Sequence, residues 1–451
     1  MPVSVTYDSD SKLAISGLAC DCPCEHRTPD QDIYVGSDLL RNLPKYINSR
    51  GIGKRCVLVA DTTTYQVAGK AVHDILLSAG FQVNLCQIKR DDVMEPDERA
   101  CGEVLLTIQP DTQFLVSVGS GSITDVTRVN AKRTGLPFVC VGTAPSMDGY
   151  TSVISPLTFR GVKIHRAGVC PEIIVCDIDV LRSAPIEMVL SGVGDVLGKY
   201  IAHVDWLIGS IVNDEPYCPV CGRIVIDAVG KLLENVAEVK RKSREGIRCL
   251  IEALLLSGVT IMIVGHTRAV ASVEHNIAHY WEMMHLLQGK RPPAHGTSVG
   301  VATQLAWPLY VKFREEDLSG INLEAIQRNR LTREERKAWM LRAFGQDAGN
   351  AIMADNPEDF LDWEEQARRI TTAQSKIGEI KRAIDSLPPF SEVLEALRVL
   401  GFPETAGEIG IDRQLLNLSM HCAKDYRSRY TLFKLIDECG LSDAYLQEYP
   451  L

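Results

Sequence analysis

The 451-residue chain has no excess of positive charge: 48 Lys and Arg stand against 58 Asp and Glu, a formal net charge of −10. That balance excludes the broad basic surface with which nucleic-acid binders displace counterions, and it disfavours adhesion to anionic membranes. A local cationic pocket for a phosphorylated metabolite stays open. A basic segment followed by an apolar one is also missing at the start. Residues 1–12 are polar, so no secretory leader is expected there. No apolar run is long enough to span a bilayer; the longest, residues 249–264, contains Glu252 and reads as a buried core helix. Internal repeats and low-complexity tracts are lacking, and the charge-rich stretch 355–382 reads as a solvated helical surface. Without a leader, the fourteen cysteines read as reduced thiols of a cytoplasmic protein rather than a disulfide framework.

What is present is an ordinary globular composition, 45% hydrophobic and 24% charged, in a chain long enough for two domains. Short β-branched runs at 55–60, 81–88, 112–118, 137–141 and 173–176 alternate with helical spacing at 65–79, 98–108 and 122–133. Strand and helix at this interval predict a parallel sheet covered by helices, the open α/β architecture of nucleotide-binding domains. Beyond residue 185 the texture changes to helical segments, at 189–206, 223–239, 248–264, 274–287 and 332–344. The expected organisation is an α/β dinucleotide-binding domain over 1–185 and an all-helical domain, binding metal and substrate, over 186–451.

Two loops carry the nucleotide argument. Gly119-Ser120-Gly121-Ser122 follows one strand and opens a helix, where backbone N–H groups and the helix N-terminus can face a pyrophosphate. Gly142 to Tyr150, including Thr143, Ala144, Pro145, Ser146 and Asp148, is a polar turn at the carboxyl end of the next strand, where ligands bind in such sheets. Asp61, ending an earlier strand, can accept from an adenosine ribose. It can equally cap the helix that follows Thr62, Thr63 and Thr64.

The helical half holds a candidate metal set. Asp195 lies in an apolar stretch with Lys199 and His203 one and two turns on, so it reads either as a ligand or as the acid of an Asp195–Lys199 pair. Glu274-His275-Asn276-Ile277-Ala278-His279 projects two imidazoles from one helix face, and Pro293-Ala294-His295-Gly296 adds a third. Two imidazoles and a carboxylate make a three-ligand set with an open position, the arrangement of a catalytic metal. Cys20, Cys22, Cys24 and His26, with Cys218 and Cys221, are also potential ligands. Their C-x-C-x-C spacing is not that of paired knuckles, and reduced thiols are the expectation.

With these motifs together, the chain resembles the sn-glycerol-1-phosphate dehydrogenases, within the superfamily of iron-containing alcohol dehydrogenases, glycerol dehydrogenases and dehydroquinate synthases. The likeness runs from Ile33 through His295: G-S-G-S with Asp125, T-A-P-S-M-D-G, G-x-G-D-x-x-x-K, E-H-x-x-x-H and H-G, with a weaker helical echo at 423–435. The resemblance implies NAD or NADP bound by Gly119, Ser120, Gly121, Ser122, Ile123, Thr143, Ala144, Pro145, Ser146 and Ser152. It implies substrate contacts at Asp148, Asp195 and His279, and one divalent metal (zinc, nickel or iron) on Asp195, His275 and His295. The implied reaction interconverts dihydroxyacetone phosphate and sn-glycerol 1-phosphate, a step of phospholipid metabolism, with Asp195 and His279 as catalytic residues. A homodimer is compatible with it. Lys199, Arg268 and Lys163 are candidate phosphate donors. An aspartate at Asp195 favours a dehydrogenase over the synthase branch. The sequence departs from the family where Ser120 interrupts three glycines and where Thr267 to Val273 replaces a Ser-Arg-Pro-Ala-Ser-Gly-like run.

Overall fold

The computed structural model describes residues 4–27, 30–91, 94–160, 162–357 and 360–451. Six parallel strands form one sheet: β3 (Asp32–Gly36), β4 (Arg55–Asp61), β5 (Gln82–Ile88), β6 (Phe114–Gly119), β7 (Phe138–Gly142) and β10 (Ile173–Asp177). Their order is β3-β10-β7-β6-β4-β5. The central strands β6, β7 and β10 are buried at every position, which explains why they read as continuous apolar runs rather than alternating ones. From β4 the chain turns outward to β5 and then back past β4 to β6, so the direction of winding reverses between β4 and β6. Ligands of open α/β sheets bind at that reversal, outside the carboxyl ends of the strands. There stand Asp61 and the Gly119 loop.

Three strand features went unread in the sequence. β3 is a five-residue edge strand, DIYVG, whose Asp32 and Gly36 leave only three residues of strand-like sequence. The β1–β2 hairpin (Ser4–Tyr7, Leu13–Ser16) and the β8–β9 hairpin (Ile154–Phe159, Val162–Ala167) are antiparallel excursions outside the main sheet. The expected single helix over 189–206 is interrupted at Gly198, between helices Ile186–Leu197 and Lys199–Asn213. Any Cβ at Gly198 would lie 2.7 Å from Val299 Cγ1, so glycine is required by the packing.

The chain divides into two compact units. The first comprises Met1–Asp21, Glu25–Val196 and Arg223–His266; the second Cys22–Cys24, Leu197–Gly222 and Thr267–Leu451. This differs from a cut at 185/186 because helix Arg244–Val264 returns to the α/β unit. Within it, Gly258 is pressed so closely on Thr151 and on the Asp148 carbonyl that no side chain fits, and Glu252 accepts from Tyr7 at 2.6 Å. Arg244–Val264 is the one helix among the described residues long and apolar enough to cross a membrane, and 83% of its apolar window is buried in the fold.

The second unit is held by a buried polar knot. Asp205 accepts from Ser272 Oγ (2.5 Å), Tyr310 OH (2.7 Å) and the Leu432 N–H (2.8 Å), joining four segments. Burial pushes its carboxyl up to about 6 despite the Arg268 charge and these donors. Arg268 in turn grips both oxygens of Glu215, at 2.8 and 3.0 Å, and the Asp205 carbonyl. Its guanidinium is committed to the fold, which removes Arg268 from the candidate phosphate donors. Lys199 is fully buried; the Lys163 side chain lies outside the described part of the structure.

Candidate active site

In the first unit, the strand-to-helix turn after β6 is built for close approach. Gly119 must be glycine, because a Cβ there would sit 2.5 Å from that of Ile123. The Gly119 carbonyl accepts from the Thr143 N–H at 3.1 Å, and Ser120 opens helix Gly121–Thr134 with its first N–H groups facing outward from the strand end. Asp125, on the first turns, pairs with Arg128 at 2.7 Å; Arg128, fully buried, also donates to the Gly149 and Tyr150 carbonyls. Arg128 thus ties the helix that follows the first loop to the second loop. Sequence reading missed it, although its i+3 spacing from Asp125 was visible.

The second loop is tied to the helix that carries Asp195. Ser191 donates to the Ser146 carbonyl at 3.0 Å, and the Asp148 N–H donates to Asp195 Oδ2 at 2.9 Å. Gly192 sits so near Pro145 that a Cβ would be 1.9 Å from its carbonyl oxygen. Tyr150, buried, donates to the Ala144 carbonyl at 2.7 Å. Ser152 closes its own turn, exchanging hydrogen bonds with the backbone of Ile154. Asp61 adopts the capping alternative: it accepts from the Thr64 N–H at 2.7 Å while Thr64 Oγ1 accepts from the Asp61 N–H at 3.0 Å.

In the second unit, helix Val273–Leu287 presents His275 and His279 from adjacent turns, and His295 opens helix His295–Phe313. Ring centroids are 5.5 Å apart for His275–His295, 5.1 Å for His279–His295 and 6.2 Å for His275–His279. Two carboxylates orient these rings. Glu274 Oε1 meets His275 Nδ1 at 2.7 Å, and Glu282 Oε1 meets His295 Nδ1 at 2.7 Å; both acids are buried. A carboxylate on Nδ1 fixes the proton there and leaves the lone pair on Nε2, raising its basicity toward a metal. Glu282 Oε2 stands 3.4 Å from His279 Nδ1, so one acid serves two imidazoles. Donor atoms of His279, Glu282 and His295 lie within 4.8 Å of one another; with its oxygens already on two Nδ1 atoms, Glu282 acts as orienter rather than ligand. In the sequence Glu274 entered only as the first residue of the E-H-x-x-x-H motif, with no role of its own, and Glu282 not at all. Glu282 is i+3 from His279 and i+7 from His275, the spacing that keeps it on their face.

Comparison with known proteins defines the class first. Residues 34–185 match the model of the iron-containing alcohol dehydrogenases. Solved structures share the fold, among them glycerol dehydrogenase from Schizosaccharomyces pombe (TM-score 0.56, 16% identity, 96% of this chain and 93% of that one). Maleylacetate reductase from Rhizobium sp. strain MTP-10005 also shares it (TM-score 0.60, 15% identity, 95% and 98%). Sequence relatives narrow the class. A glycerol-1-phosphate dehydrogenase [NAD(P)+] of Halalkalibacterium halodurans is 37% identical over 64% of this chain and 73% of the relative. One of Geobacillus thermodenitrificans is 29% identical over 95% and 98%. The chain belongs to the glycerol-1-phosphate dehydrogenase family of iron-containing alcohol dehydrogenases.

Proposed function

We propose that this chain is an NAD(P)-dependent alcohol dehydrogenase that interconverts dihydroxyacetone phosphate and sn-glycerol 1-phosphate, with a divalent metal on Asp195, His275 and His295. The substrate follows from family membership. The observation that carries the metal reading is the pair of carboxylate–imidazole contacts, Glu274–His275 and Glu282–His295, each 2.7 Å at Nδ1. Buried acids on two histidines of different helices are the support that metal-ligating imidazoles almost always have. Gly198, three residues after Asp195, packs on His275, its Cβ position 3.4 Å from Cε1, which supports Asp195 as the third ligand.

A metal held by Asp195, His275 and His295 would supply Lewis-acid polarisation of the substrate oxygen, and a bound nicotinamide would supply hydride chemistry. His279 holds a proton at the substrate hydroxyl, with Glu282 behind it to steady the charged ring. Asp148 and Asp195 bind the substrate, and Gly119 to Ile123, Thr143 to Ser146 and Ser152 hold the nucleotide. Nucleotide binding falls to the first unit, and the histidines fall to the second. The fourteen thiols fit the reducing cytoplasm, where we place the enzyme.

Purified protein given NADH or NADPH and added zinc, nickel or iron is expected to reduce dihydroxyacetone phosphate well and unphosphorylated dihydroxyacetone poorly. Equal or better turnover of the unphosphorylated ketone would refute the substrate. Gly119→Ala is expected to push the loop off Ile123 and weaken NADH binding about tenfold, a loss of about 1.4 kcal/mol. Fluorescence titration measures it, and an unchanged affinity would remove this loop from the nucleotide site.

A further inference from the structure

Residues 17–27 form neither helix nor strand, yet they carry metal-binding side chains that the dehydrogenase reaction does not use. Their burial alternates: Cys20, Cys22, Cys24 and His26 are half-buried, while Ala19, Asp21, Pro23 and Glu25 are exposed. An extended segment places alternate residues on one face, so these donors turn inward together. The inner face meets Cys218, which is fully buried just before helix Pro219–Glu234. One donor atom from each of Cys20, Cys22, His26 and Cys218 lies within 4.8 Å of every other, three sulfurs and one ring nitrogen. Cys22 folds in the second unit with Cys218, and Cys20 and His26 flank it in the same short segment. The Cys221 N–H donates to Cys218 Sγ at 3.4 Å, a hydrogen bond that favours a thiolate there.

We propose that Cys20, Cys22, His26 and Cys218 form a second metal centre, a closed site for zinc with three thiolates and one imidazole. Zinc prefers this donor chemistry, and Zn–S bonds of about 2.3 Å with a Zn–N bond of about 2.0 Å hold tetrahedral donors about 3.5–3.8 Å apart. The donor set within 4.8 Å is therefore about an ångström from that geometry, and three of its members sit on a segment that no helix or sheet ladder restrains. Thiols this close repel one another when ionised; a divalent cation reverses that, binding the thiolates and releasing their protons. Four protein ligands leave no open position, so the role is structural: the cation fixes a segment that has no helix or strand of its own. The C-x-C-x-x-x-H run supplies three ligands, and the fourth follows nearly two hundred residues later, so only the fold completes the set. Cys24 and Cys221 stand outside it.

The test uses the full chain carrying His275→Ala and His295→Ala, so that zinc on those two histidines does not enter the count. It is expected to purify with one equivalent of zinc. Exchange for Co²⁺ is expected to give a near-ultraviolet sulfur-to-cobalt charge-transfer band and the intense visible bands of a tetrahedral site. Cys22→Ser and, separately, His26→Ala in that background are expected to weaken zinc affinity about a hundredfold or more, beyond the loss caused by removing an outer partner of a ligand. Cys24→Ser, in the same segment, is expected to keep both the zinc and the band. His26→Cys is expected to keep the metal and strengthen the band, because four sulfurs then replace three; this gain decides the matter even where a serine variant loses its fold by circular dichroism. Absence of zinc from the histidine variant, absence of the charge-transfer band, or a disulfide joining any two of Cys20, Cys22 and Cys218 in the purified protein would overturn the proposal. So would loss of zinc in Cys24→Ser equal to that in Cys22→Ser. The band reports sulfur ligation alone, so it is read independently of the active-site assignment.

Discussion

His275→Ala is expected to leave the protein folded while lowering kcat/KM for ketone reduction by about a thousandfold or more, because a Lewis acid supplies several kcal/mol to the transition state. Active-site metal should be lost in parallel, measured by elemental analysis after dialysis. The informative companion is Glu274→Gln. Its side chain keeps the size and still touches Nδ1, but no longer carries the charge that raises the basicity of Nε2. About 10–100-fold weaker metal affinity is expected, with activity restored by excess metal. Full metal content and activity in His275→Ala would remove this histidine from the ligand set. A Glu274→Gln variant that excess metal cannot rescue would show that the acid serves folding.

Asp425→Asn is expected to destabilise the second unit by about 3–5 kcal/mol at neutral pH, because it strands buried positive charge. Asp425 is 1% exposed and accepts from Lys424 at 2.9 Å and from Arg336. Burial alone would push its carboxyl up, but the Lys424 and Arg336 charges prevail and bring it to about 2. A folded-state value below the unfolded one means stability that is complete above the ordinary carboxylate range near pH 4 and lost as pH falls through about 2. The difference corresponds to roughly 2–3 kcal/mol. Urea unfolding from pH 7 down to pH 2.5 should therefore show the gap between the wild type and the variant narrowing only below pH 4. A constant gap would mean that Asp425 contributes shape rather than charge.

Most of the sheet was legible because a strand buried on both faces reads as an apolar run, and β4, β6, β7 and β10 do, apart from Ser117 and the charged strand ends. β8 was not: Ile154–Phe159 contains Ser155 and Pro156, and its hairpin lies outside the main sheet. The return of Arg244–Val264 to the first unit could not be read either, since a helix apolar over most of its length announces burial without naming its neighbour. The histidines were visible because i and i+4 define a helix face in the sequence itself. Their carboxylate partners are as close in sequence, but an acid on a helix is common, and only the 2.7 Å contacts separate Glu274 and Glu282 from surface glutamates. Arg268 illustrates the opposite error: a cation near the histidines looked available, and Glu215, more than fifty residues earlier, already holds it.

The crossing at Gly192 has a thermodynamic consequence. Pro145, in the nucleotide-side loop, rests on the backbone of the helix that carries Asp195, and the Asp148 N–H holds that carboxylate directly. A contact with no room for a methyl group transmits displacement rather than absorbing it. On the proposed function, a nucleotide at Pro145 and a cation at Asp195 would therefore act on one rigid element, and linkage would make the effect mutual. Whatever factor the nucleotide added to metal retention, the metal would add to nucleotide affinity.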